Sequence, residues 1–231
     1  MNACITTRLR LECVHIFIYK NEPPMYSGIT AGMFEITSLV KQPDLIDYTV
    51  CLSAALCEQL RPGNSVSVNG VCQTLVRLEG SMASFQAMRE TLERTTLGEL
   101  ERGSWVSIER SLCWGDEMGG HEVSGHVFGT ATIYEKRINQ NIFDLIVQCD
   151  PLWMKYILPK GFIAVDGSSL TVGDTEPTQG LFHLHLIPET LKLTGFSNKN
   201  VGDKVNIEFD HKTKTIVDTV ERLLSCRSDI L

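Results

Sequence analysis

The sequence lacks the short motifs that mark several common kinds of functional site. It has no pair of cysteines at C-x-x-C spacing and no H-E-x-x-H, so the usual zinc sites are not indicated. It has no G-x-G-x-x-G, no P-loop and no G-x-S-x-G, which leaves dinucleotide and nucleoside-triphosphate chemistry without support. No apolar run approaches the roughly 20 residues that a membrane helix needs. We therefore expect no metal site and no membrane-spanning helix.

Basic residues are also in the minority. The chain has 21 Lys and Arg against 28 Asp and Glu, which gives a net charge of −7. An acidic chain without a Lys/Arg cluster binds nucleic acid and anionic membranes poorly, so neither is expected as a partner. Hydrophobic residues make up 43% and charged residues 21% of the 231 positions. This is ordinary globular composition, with enough apolar surface to bury a core.

The chain has eight cysteines, and this even number is compatible with disulfides. However, disulfide frameworks belong to short secreted chains, and this chain is long and well supplied with apolar residues. We therefore expect mostly buried free thiols in a reducing cytosol, and hence a cytoplasmic protein.

A basic start and a short apolar stretch give residues 1–24 a superficial likeness to a signal peptide. Glu12 and His15 interrupt the apolar stretch, and no small-x-small cleavage site follows it. We expect residues 1–24 to be a disordered or misassigned leader ahead of a start at Met25.

An internal repeat divides the rest of the chain. Positions in the first half match positions in the second at an offset of 97, which becomes 99 after an insertion of two residues. Each unit has about 90 residues, the size of a small domain. We expect a first domain at 25–121, a second at 122–210 and a terminal segment at 211–231. The matched segments are Ser27-Gly28 with Ser124-Gly125, Asn69-Gly70 with Asp166-Gly167, Cys72-Gln73-Thr74 with Ser169-Leu170-Thr171, Glu90-Thr91-Leu92 with Glu189-Thr190-Leu191, and Glu109 with Glu208.

Both units have the pattern of short β-strands. Alternating runs such as 65–68 and 204–209 are separated by Asn-Gly and Asp-Gly, which favour tight turns because both residues tolerate positive φ. Several short strands at even spacing predict a mostly β protein in which each unit closes into a barrel.

Helical segments are predicted at three places. Short helical turns are expected around Leu52–Leu60 and Leu152–Leu158, at matching places in the two units. In the tail, apolar residues recur at the spacing of an amphipathic helix, which must either cap its own barrel or pair with copies of itself in an oligomer. These residues are Ile216, Val217, Val220, Leu223 and Leu224.

Both units carry the same polar set. It consists of a small nucleophilic side chain, a threonine two residues later and, further on, a Glu-Thr pair. Each residue alone is explained by the preferences of strands and turns. The recurrence of the whole set indicates two similar pockets for two similar ligands. The residues are Cys72, Thr74, Glu90 and Thr91 in the first unit, and Ser169, Thr171, Glu189 and Thr190 in the second.

Four histidines are candidates for functional roles. His121 and His126 lie in a glycine-rich loop at the start of the second unit, where backbone can approach a ligand closely. Histidine exchanges protons near neutral pH, whereas no nearby Cys or Asp completes a metal site. His183 and His185 share one strand face, for which local packing is the simpler interpretation.

Together these segments resemble the riboflavin synthase family of the α-chain type. The resemblance runs from Met25 to about Leu224, and its combination of motifs is specific although each motif alone is weak. It implies two Greek-key, six-stranded antiparallel β-barrels and a C-terminal helix through which three chains assemble. The segments that carry it are 25–29, 69–74, 90–92, 119–126, 160–171, 186–191 and 205–208.

The resemblance also implies an activity. Two molecules of 6,7-dimethyl-8-ribityllumazine would form riboflavin and 5-amino-6-ribitylaminouracil by transfer of a four-carbon unit, the last step of riboflavin biosynthesis, without metal or organic cofactor. The active site would lie between the first barrel of one subunit and the second barrel of another. Association with lumazine synthase stays open. The alternative function is a non-catalytic, antenna-type protein of the same fold that binds lumazine or flavin.

By position, the resemblance carries the pteridine-contacting segments onto two groups of residues. Tyr26 and Ser27 stand near the site where Phe and Thr are usual, and Gln73 replaces a usual Leu. The first group is Gly28, Ile29, Thr30, Cys72, Gln73, Thr74, Gln86, Ala87, Met88, Arg89, Glu90 and Thr91. The second group is Gly125, His126, Val127, Lys160, Ser169, Leu170, Thr171, His185, Leu186, Ile187, Pro188, Glu189 and Thr190.

We assign the chemistry to five of these and neighbouring residues. His126 is expected to handle protons, while Ser169 and Thr171 orient a water or hydroxide that adds at C7 of the lumazine. Asp210 is expected to support that site. Cys72 is either a nucleophile at the other pocket or a neutral lining residue.

Overall fold

A computed structural model describes residues 25–139 and 142–228. Residues 1–24, for which we predicted a leader, lie outside the described residues. Within the described ranges, most regular structure is β-sheet.

The first half forms a closed barrel of six antiparallel strands. Side chains alternate between core and surface along them, as the period of a strand requires: in the fifth strand Ala83, Phe85 and Ala87 are buried. The strands are β1 (Gly32–Gln42), β2 (Leu45–Cys51), β3 (Ser65–Val68), β4 (Val71–Glu79), β5 (Met82–Met88) and β6 (Trp105–Arg110). Around the barrel their order is β1-β2-β5-β4-β3-β6.

The second half repeats this topology. Its strands are β7 (Gly129–Asn139), β8 (Ile142–Gln148), β9 (Phe162–Val165), β10 (Ser168–Glu176), β11 (Leu181–Leu186) and β12 (Lys204–Phe209). Around the barrel their order is β10-β11-β8-β7-β12-β9, the same cyclic order as in the first half. The prediction of a mostly β fold with two six-stranded antiparallel barrels is confirmed.

Helices are short except the last. α1 (Ala54–Cys57) and the 3₁₀ turn Pro151–Tyr156 lie at the two places where the sequence predicts helical turns. The other helices are α2 (Arg89–Arg94), α3 (Pro188–Leu193) and α4 (His211–Ser228), and the other 3₁₀ turns are Thr96–Glu99, Pro177–Gln179 and Gly195–Ser197. Among the described residues, no helix has both the length and the apolar composition to cross a membrane.

The terminal helix α4 has the predicted two faces. Val217 packs against the second barrel's core. The other apolar side chains face outward, and they are Ile216, Val220, Leu223 and Leu224, with 64%, 48%, 63% and 61% of their surface exposed. Asp210, which we expected to support the site, caps this helix: its carboxylate accepts from the amide and hydroxyl of Thr213 at 2.8 and 2.7 Å.

The two barrels meet at their equivalent turns. Gly70 and Gly167, with φ of 79° and 84°, lie against each other. A Cβ atom on Gly70 would stand 2.4 Å from the backbone nitrogen of Gly167, so only glycine fits. Beside them the side-chain amide of Asn206 donates to the carbonyl of Asn69 at 2.7 Å. The contact therefore combines closely packed glycine backbone with hydrogen bonds from side chains, such as that from the Ser107 hydroxyl to the Asp166 carbonyl at 2.7 Å.

The cysteines only partly follow expectation. Six of them lie in the described ranges, and all six are free. Of these only Cys149 is buried, while Cys113 and Cys226 are exposed. The expectation that the thiols are mostly buried is therefore wrong, because several lie on outward-facing strand positions or at the chain's surface.

Candidate active site

Each barrel receives a short segment from the other half of the chain. The Gly28 carbonyl accepts a hydrogen bond from the Ser169 amide at 2.8 Å, and the Gly125 carbonyl accepts one from the Cys72 amide at 2.9 Å. A Cβ atom on either glycine would lie 2.6 Å from the Cβ atom of its partner. Glycine thus lets each crossing segment lie directly on the residue that the sequence marks as the small nucleophilic side chain of the opposite barrel.

A buried carboxylate fixes each crossing segment. Glu109 accepts hydrogen bonds from both amides and the hydroxyl of Ser27-Gly28, at 2.7 to 3.1 Å. Glu208 does the same for Ser124-Gly125, at 2.7 to 2.9 Å. Burial raises the pKa of both carboxyls, and the hydrogen bonds from these segments oppose the rise. The repeat shows the two glutamates as equivalent, but their role was not predicted.

Ser169 has a histidine partner that the sequence analysis did not select. The Nδ1 atom of His121 lies 2.6 Å from the Ser169 hydroxyl oxygen, and the imidazole stacks on Phe162 at 5.3 Å between ring centroids. Burial lowers the pKa of His121, although the carboxylate of Asp210 opposes this. A neutral imidazole can accept the serine proton, so the pair has the geometry of a hydroxyl and its base.

The matching position in the first barrel has different chemistry. The Cys72 sulfur accepts a hydrogen bond from the Tyr26 hydroxyl at 3.3 Å. Tyr26 is fully buried, and burial raises its pKa far above the usual value, so the phenol stays protonated. Cys72 itself is half-buried. Both of its predicted roles, nucleophile and lining residue, are compatible with this position.

The structure regroups the residues that we assigned to the two ligands. We placed Gly28 with Cys72 and Gly125 with Ser169, but within one chain Gly28 contacts Ser169 and Gly125 contacts Cys72. The segments cross because their backbone hydrogen bonds run to the opposite barrel. His126 is exposed and follows Gly125, which contacts Cys72 of the first barrel, so one chain does not bring His126 to Ser169 as we expected.

Strand alternation removes four side chains from the predicted contact surface. These residues lie in the expected segments but point into a barrel, because alternate residues of a strand face opposite sides. Gln73 shows this directly, since its amide is bonded to the Tyr48 hydroxyl and the Cys72 carbonyl at 3.1 and 2.9 Å. The four buried side chains are Gln73, Ala87, Leu170 and Leu186.

The outward-facing members of both segments remain available. They form an exposed surface on each barrel with apolar, hydroxyl and acidic groups. Met88 and the matching Ile187 are 69% and 63% exposed, which suits the face of a flat ring. The other outward residues are Thr74, Gln86, Arg89 and Glu90 on the first barrel, and Lys160, Thr171, His185, Pro188 and Glu189 on the second.

An aspartate on the neighbouring strand holds one polar side chain of each surface. In the first barrel the Gln86 amide nitrogen donates to Asp47 at 2.6 Å. In the second barrel the Nδ1 atom of His185 lies 2.6 Å from Asp144. These pairs occupy equivalent positions in the repeat. Over residues 25–139 and 142–228, no cluster of three or more His, Cys, Asp or Glu side chains could hold a metal ion.

Comparison with known proteins places this arrangement in a family. The lumazine binding domain matches the chain twice, at residues 27–111 and 124–210. Among solved structures, LumP complexed with riboflavin superposes with a TM-score of 0.75 at 22% identity, covering 80% of this chain and 100% of that one. LumP complexed with 6,7-dimethyl-8-(1'-D-ribityl) lumazine gives a TM-score of 0.72 at 21% identity, covering 80% and 99%. At these identities the likeness establishes the fold.

Curated relatives are considerably more similar in sequence. The chain is 42% identical over 208 residues to riboflavin synthase of Escherichia coli (strain K12), covering 90% of this chain and 97% of the relative. It is 39% identical over 201 residues to riboflavin synthase of Chlamydia pneumoniae, covering 87% and 98%. The chain therefore belongs to the riboflavin synthase family and carries the lumazine-binding domain twice.

Proposed function

We propose that this protein is an enzyme that converts two molecules of 6,7-dimethyl-8-ribityllumazine into riboflavin and 5-amino-6-ribitylaminouracil. The observation that carries the proposal is that both halves keep a complete polar surface beside a crossing segment. Each of these surfaces, called a seat below, can hold one ring. Two equivalent seats suit a reaction in which one substrate molecule donates four carbons to another of the same kind. Membership of a family whose curated relatives are named riboflavin synthase supports the same assignment.

The reaction depends on the positioning of two substrate molecules more than on a cofactor. The C7 methyl group of the lumazine is acidic because its anion is delocalised into the pteridine, so a protein needs to hold two rings together and assist proton transfers. Holding reactants in place supplies about 7–11 kcal/mol of the barrier reduction. A positioned base contributes about 10²–10⁴-fold more. Ser169 with His121 is the pair of groups best arranged to act on a water or hydroxide at C7.

A binding protein without turnover is the second candidate. Solved structures of LumP with riboflavin and with lumazine favour it, because they share this fold. A protein that only binds needs one complete seat, whereas here Cys72 with Thr74 and Ser169 with Thr171 are both retained. This retention favours catalysis.

Turnover and binding predict different time courses with the substrate. On incubation with 6,7-dimethyl-8-ribityllumazine, we expect riboflavin and 5-amino-6-ribitylaminouracil to accumulate in equal amounts, with two substrate molecules consumed for each pair. Chromatography with fluorescence detection measures both products. Stoichiometric binding of the lumazine without accumulation of riboflavin would instead support the binding protein.

We further propose a cytoplasmic homotrimer, with the active site between the first barrel of one subunit and the second barrel of another. The six free cysteines in the described ranges support the location. The outward stripe of α4 supports the assembly, since burial of a Leu, Ile or Val side chain contributes about 1.5–3 kcal/mol. The expected domains are 25–121, 122–210 and 211–231. Association with lumazine synthase stays a prediction.

Charging the outer stripe of α4 is expected to break the assembly without unfolding the barrels. The double variant Leu223→Glu with Leu224→Glu, and a chain truncated after Asp210, should give monomers or dimers that lose most of the activity. Arg222→Glu is the matched control on the same helix, because its side chain is exposed and polar. Analytical ultracentrifugation measures the assembly. A fully active monomer would contradict the shared active site.

A further inference from the structure

Among the differences between the outer surfaces of the two barrels, one concerns a histidine. His185 on β11 pairs across the sheet with Asp144 on β8. On the other side of β11 lies β10, whose Val172 pairs with Leu184. One residue further along these antiparallel strands, Thr171 lies opposite His185. His185 thus stands between an aspartate and a threonine of the proposed second seat. In the first barrel the same position holds Gln86.

Asp144 determines which nitrogen of the imidazole is left for a ligand. An ionised carboxylate can only accept, so the Nδ1 atom at 2.6 Å must donate its proton to Asp144. The neutral imidazole then offers Nε2 as an acceptor. The side chain is 58% exposed, and Nε2 has no hydrogen-bond partner within residues 25–139 and 142–228.

A glycine provides the space in which this imidazole lies. A Cβ atom on Gly173 would stand 2.8 Å from Nε2 of His185 and 3.2 Å from the carbonyl of His183. At the offset of 97, the matching residue of the first barrel is Val76, which follows the Leu75–Phe85 pair on the strand next to that of Gln86. The glycine and the histidine therefore occur together in one barrel, and valine and glutamine occur together in the other.

Gln86 is held by an aspartate in the same way as His185, but its amide group does not titrate. Its amide nitrogen donates to Asp47, which leaves its amide oxygen as an acceptor. Each barrel thus has an aspartate that binds the donor atom of a neighbouring side chain and leaves an acceptor exposed. An amide oxygen keeps this property at any pH, whereas an imidazole loses it on protonation.

We propose that Asp144 and Gly173 are positioning residues that hold His185 as a hydrogen-bond acceptor for the ligand of the second barrel. The ligand group is a donor such as the pteridine N–H or a ribityl hydroxyl, an identity that rests on the proposed function.

The surroundings of His185 leave Asp144 as its direct charged partner. Arg137 pairs with Asp144 across the sheet, but its guanidinium is bonded to Glu135 at 2.6 and 2.9 Å. His183 lies 3.9 Å from Glu176. The charged or titratable groups on the packed elements are Asp144 on β8, Tyr134, Glu135, Lys136 and Arg137 on β7, Asp174 and Glu176 on β10, His183 on β11, Lys160 before β9, and Glu189 and Lys192 on α3.

Asp144→Asn tests the positioning, with Asp47→Asn as the matched control in the first barrel. An asparagine side chain can donate as well as accept, so Asp144→Asn no longer fixes Nδ1 of His185 as the donor and Nε2 as the acceptor. We expect kcat/KM near pH 7 to fall by up to about tenfold, the value of one neutral hydrogen bond. In the His185→Ala background Asp144→Asn should have no further effect, whereas Asp47→Asn should have the same effect as in the wild-type background. An undiminished effect of Asp144→Asn in the His185→Ala background would contradict the proposal.

His185→Gln and Gly173→Ala test the same proposal through a double-mutant cycle. His185→Gln should lower kcat/KM by about tenfold at most, the value of one neutral hydrogen bond. Gly173→Ala should displace the imidazole and lower kcat/KM with the barrel still folded by circular dichroism. In the His185→Gln background, Gly173→Ala should lower kcat/KM no further, because the first barrel already combines a glutamine at this position with a residue that has a Cβ atom, Val76.

Two measurements that need no turnover separate this inference from the proposed function. Nuclear magnetic resonance identifies the tautomer of the His185 imidazole, assigned by the loss of its signals in His185→Gln, and quenching of riboflavin fluorescence gives the affinity of each variant. A wild-type protein that forms no riboflavin would defeat the proposed function only. A His185 tautomer unaffected by Asp144→Asn, or an affinity for riboflavin unchanged in both His185→Ala and Asp144→Asn, would overturn the inference.

Discussion

Ser169→Ala is expected to lower turnover of 6,7-dimethyl-8-ribityllumazine by about 10²- to 10⁴-fold, the contribution of a positioned proton-transfer system. The hydroxyl is the group that His121 contacts at 2.6 Å, and it lies beneath the crossing segment at Gly28. Loss of one oxygen from a half-buried site changes the free energy of unfolding by only about 1 kcal/mol. Activity should therefore fall far more than stability.

The control for this variant is another serine that makes one side-chain hydrogen bond. Ser84 on β5 contacts the Thr49 hydroxyl at 3.0 Å, away from both crossing segments. Ser84→Ala should retain turnover while losing a similar amount of stability. Steady-state kinetics and urea unfolding measure the two quantities for both variants. If Ser169→Ala lost folding and activity in equal measure, a role in the chemistry would be excluded.

The choice of histidine can be tested in the same background. If His121 is the base for Ser169, His121→Gln should reduce turnover as much as Ser169→Ala, and the double variant should be no worse than either single variant. His126→Ala is also expected to lower turnover, but through its position beside Cys72. Non-additivity between His126 and Ser169 within one assembly would show that subunit contacts bring them together.

The two barrels could be predicted because the signals for their strands and turns lie in short segments and occur in both halves of the chain. The Asn-Gly and Asp-Gly turns at equivalent places and the strand period of two are read directly from short segments. The offset of 97, which becomes 99 after the insertion of two residues, then shows that both halves share one topology, and it also aligns Glu109 with Glu208. The predicted turns at Leu52–Leu60 and Leu152–Leu158 follow in the same way.

The crossing of the two segments could not be predicted in this way. A repeat shows which positions are equivalent, but it does not show whether Gly28 contacts its own barrel or the other one. That choice depends on backbone hydrogen bonds between distant parts of the chain, such as the one from Ser169 to Gly28. His121 was a candidate, but its pairing with Ser169 was missed for the same reason, since only the folded chain brings the two together. The inward residues, such as Ala87, were foreseeable from alternation along β5.

Gly70→Ala is expected to be the most destabilising single methyl addition at the contact between the barrels. The new Cβ would lie 2.4 Å from the backbone nitrogen of Gly167, and backbone cannot move aside as a flexible side chain does. With φ at 79°, an L-residue adds about 1–2 kcal/mol of strain, and overpacking adds about 1–3 kcal/mol. The sum, about 2–5 kcal/mol, is a large part of the roughly 5–15 kcal/mol that stabilises a typical protein.

Gly103→Ala separates the two contributions. Gly103 has a φ of 89° but nothing within 4 Å of a Cβ atom, so this variant experiences the strain without the clash. Its midpoint of thermal unfolding should fall by a few degrees, at about 2–4 °C per kcal/mol, and that of Gly70→Ala by on the order of 10 °C. Equal losses in the two variants would mean that the barrels do not press together at Gly70.

Gly167→Ala extends this comparison from stability to activity. Its Cβ would meet the Gly70 backbone at 2.8 Å, so each variant relieves the same contact by pushing the barrels apart. The double variant should therefore cost less than the sum of the single losses. The same displacement would draw Gly28 from Ser169 and Gly125 from Cys72, because those hydrogen bonds cross the same boundary. We expect the folded fraction of either variant to turn over substrate more slowly, whereas folded Gly103→Ala should not, and this difference tests whether barrel contact sets the geometry of the seats.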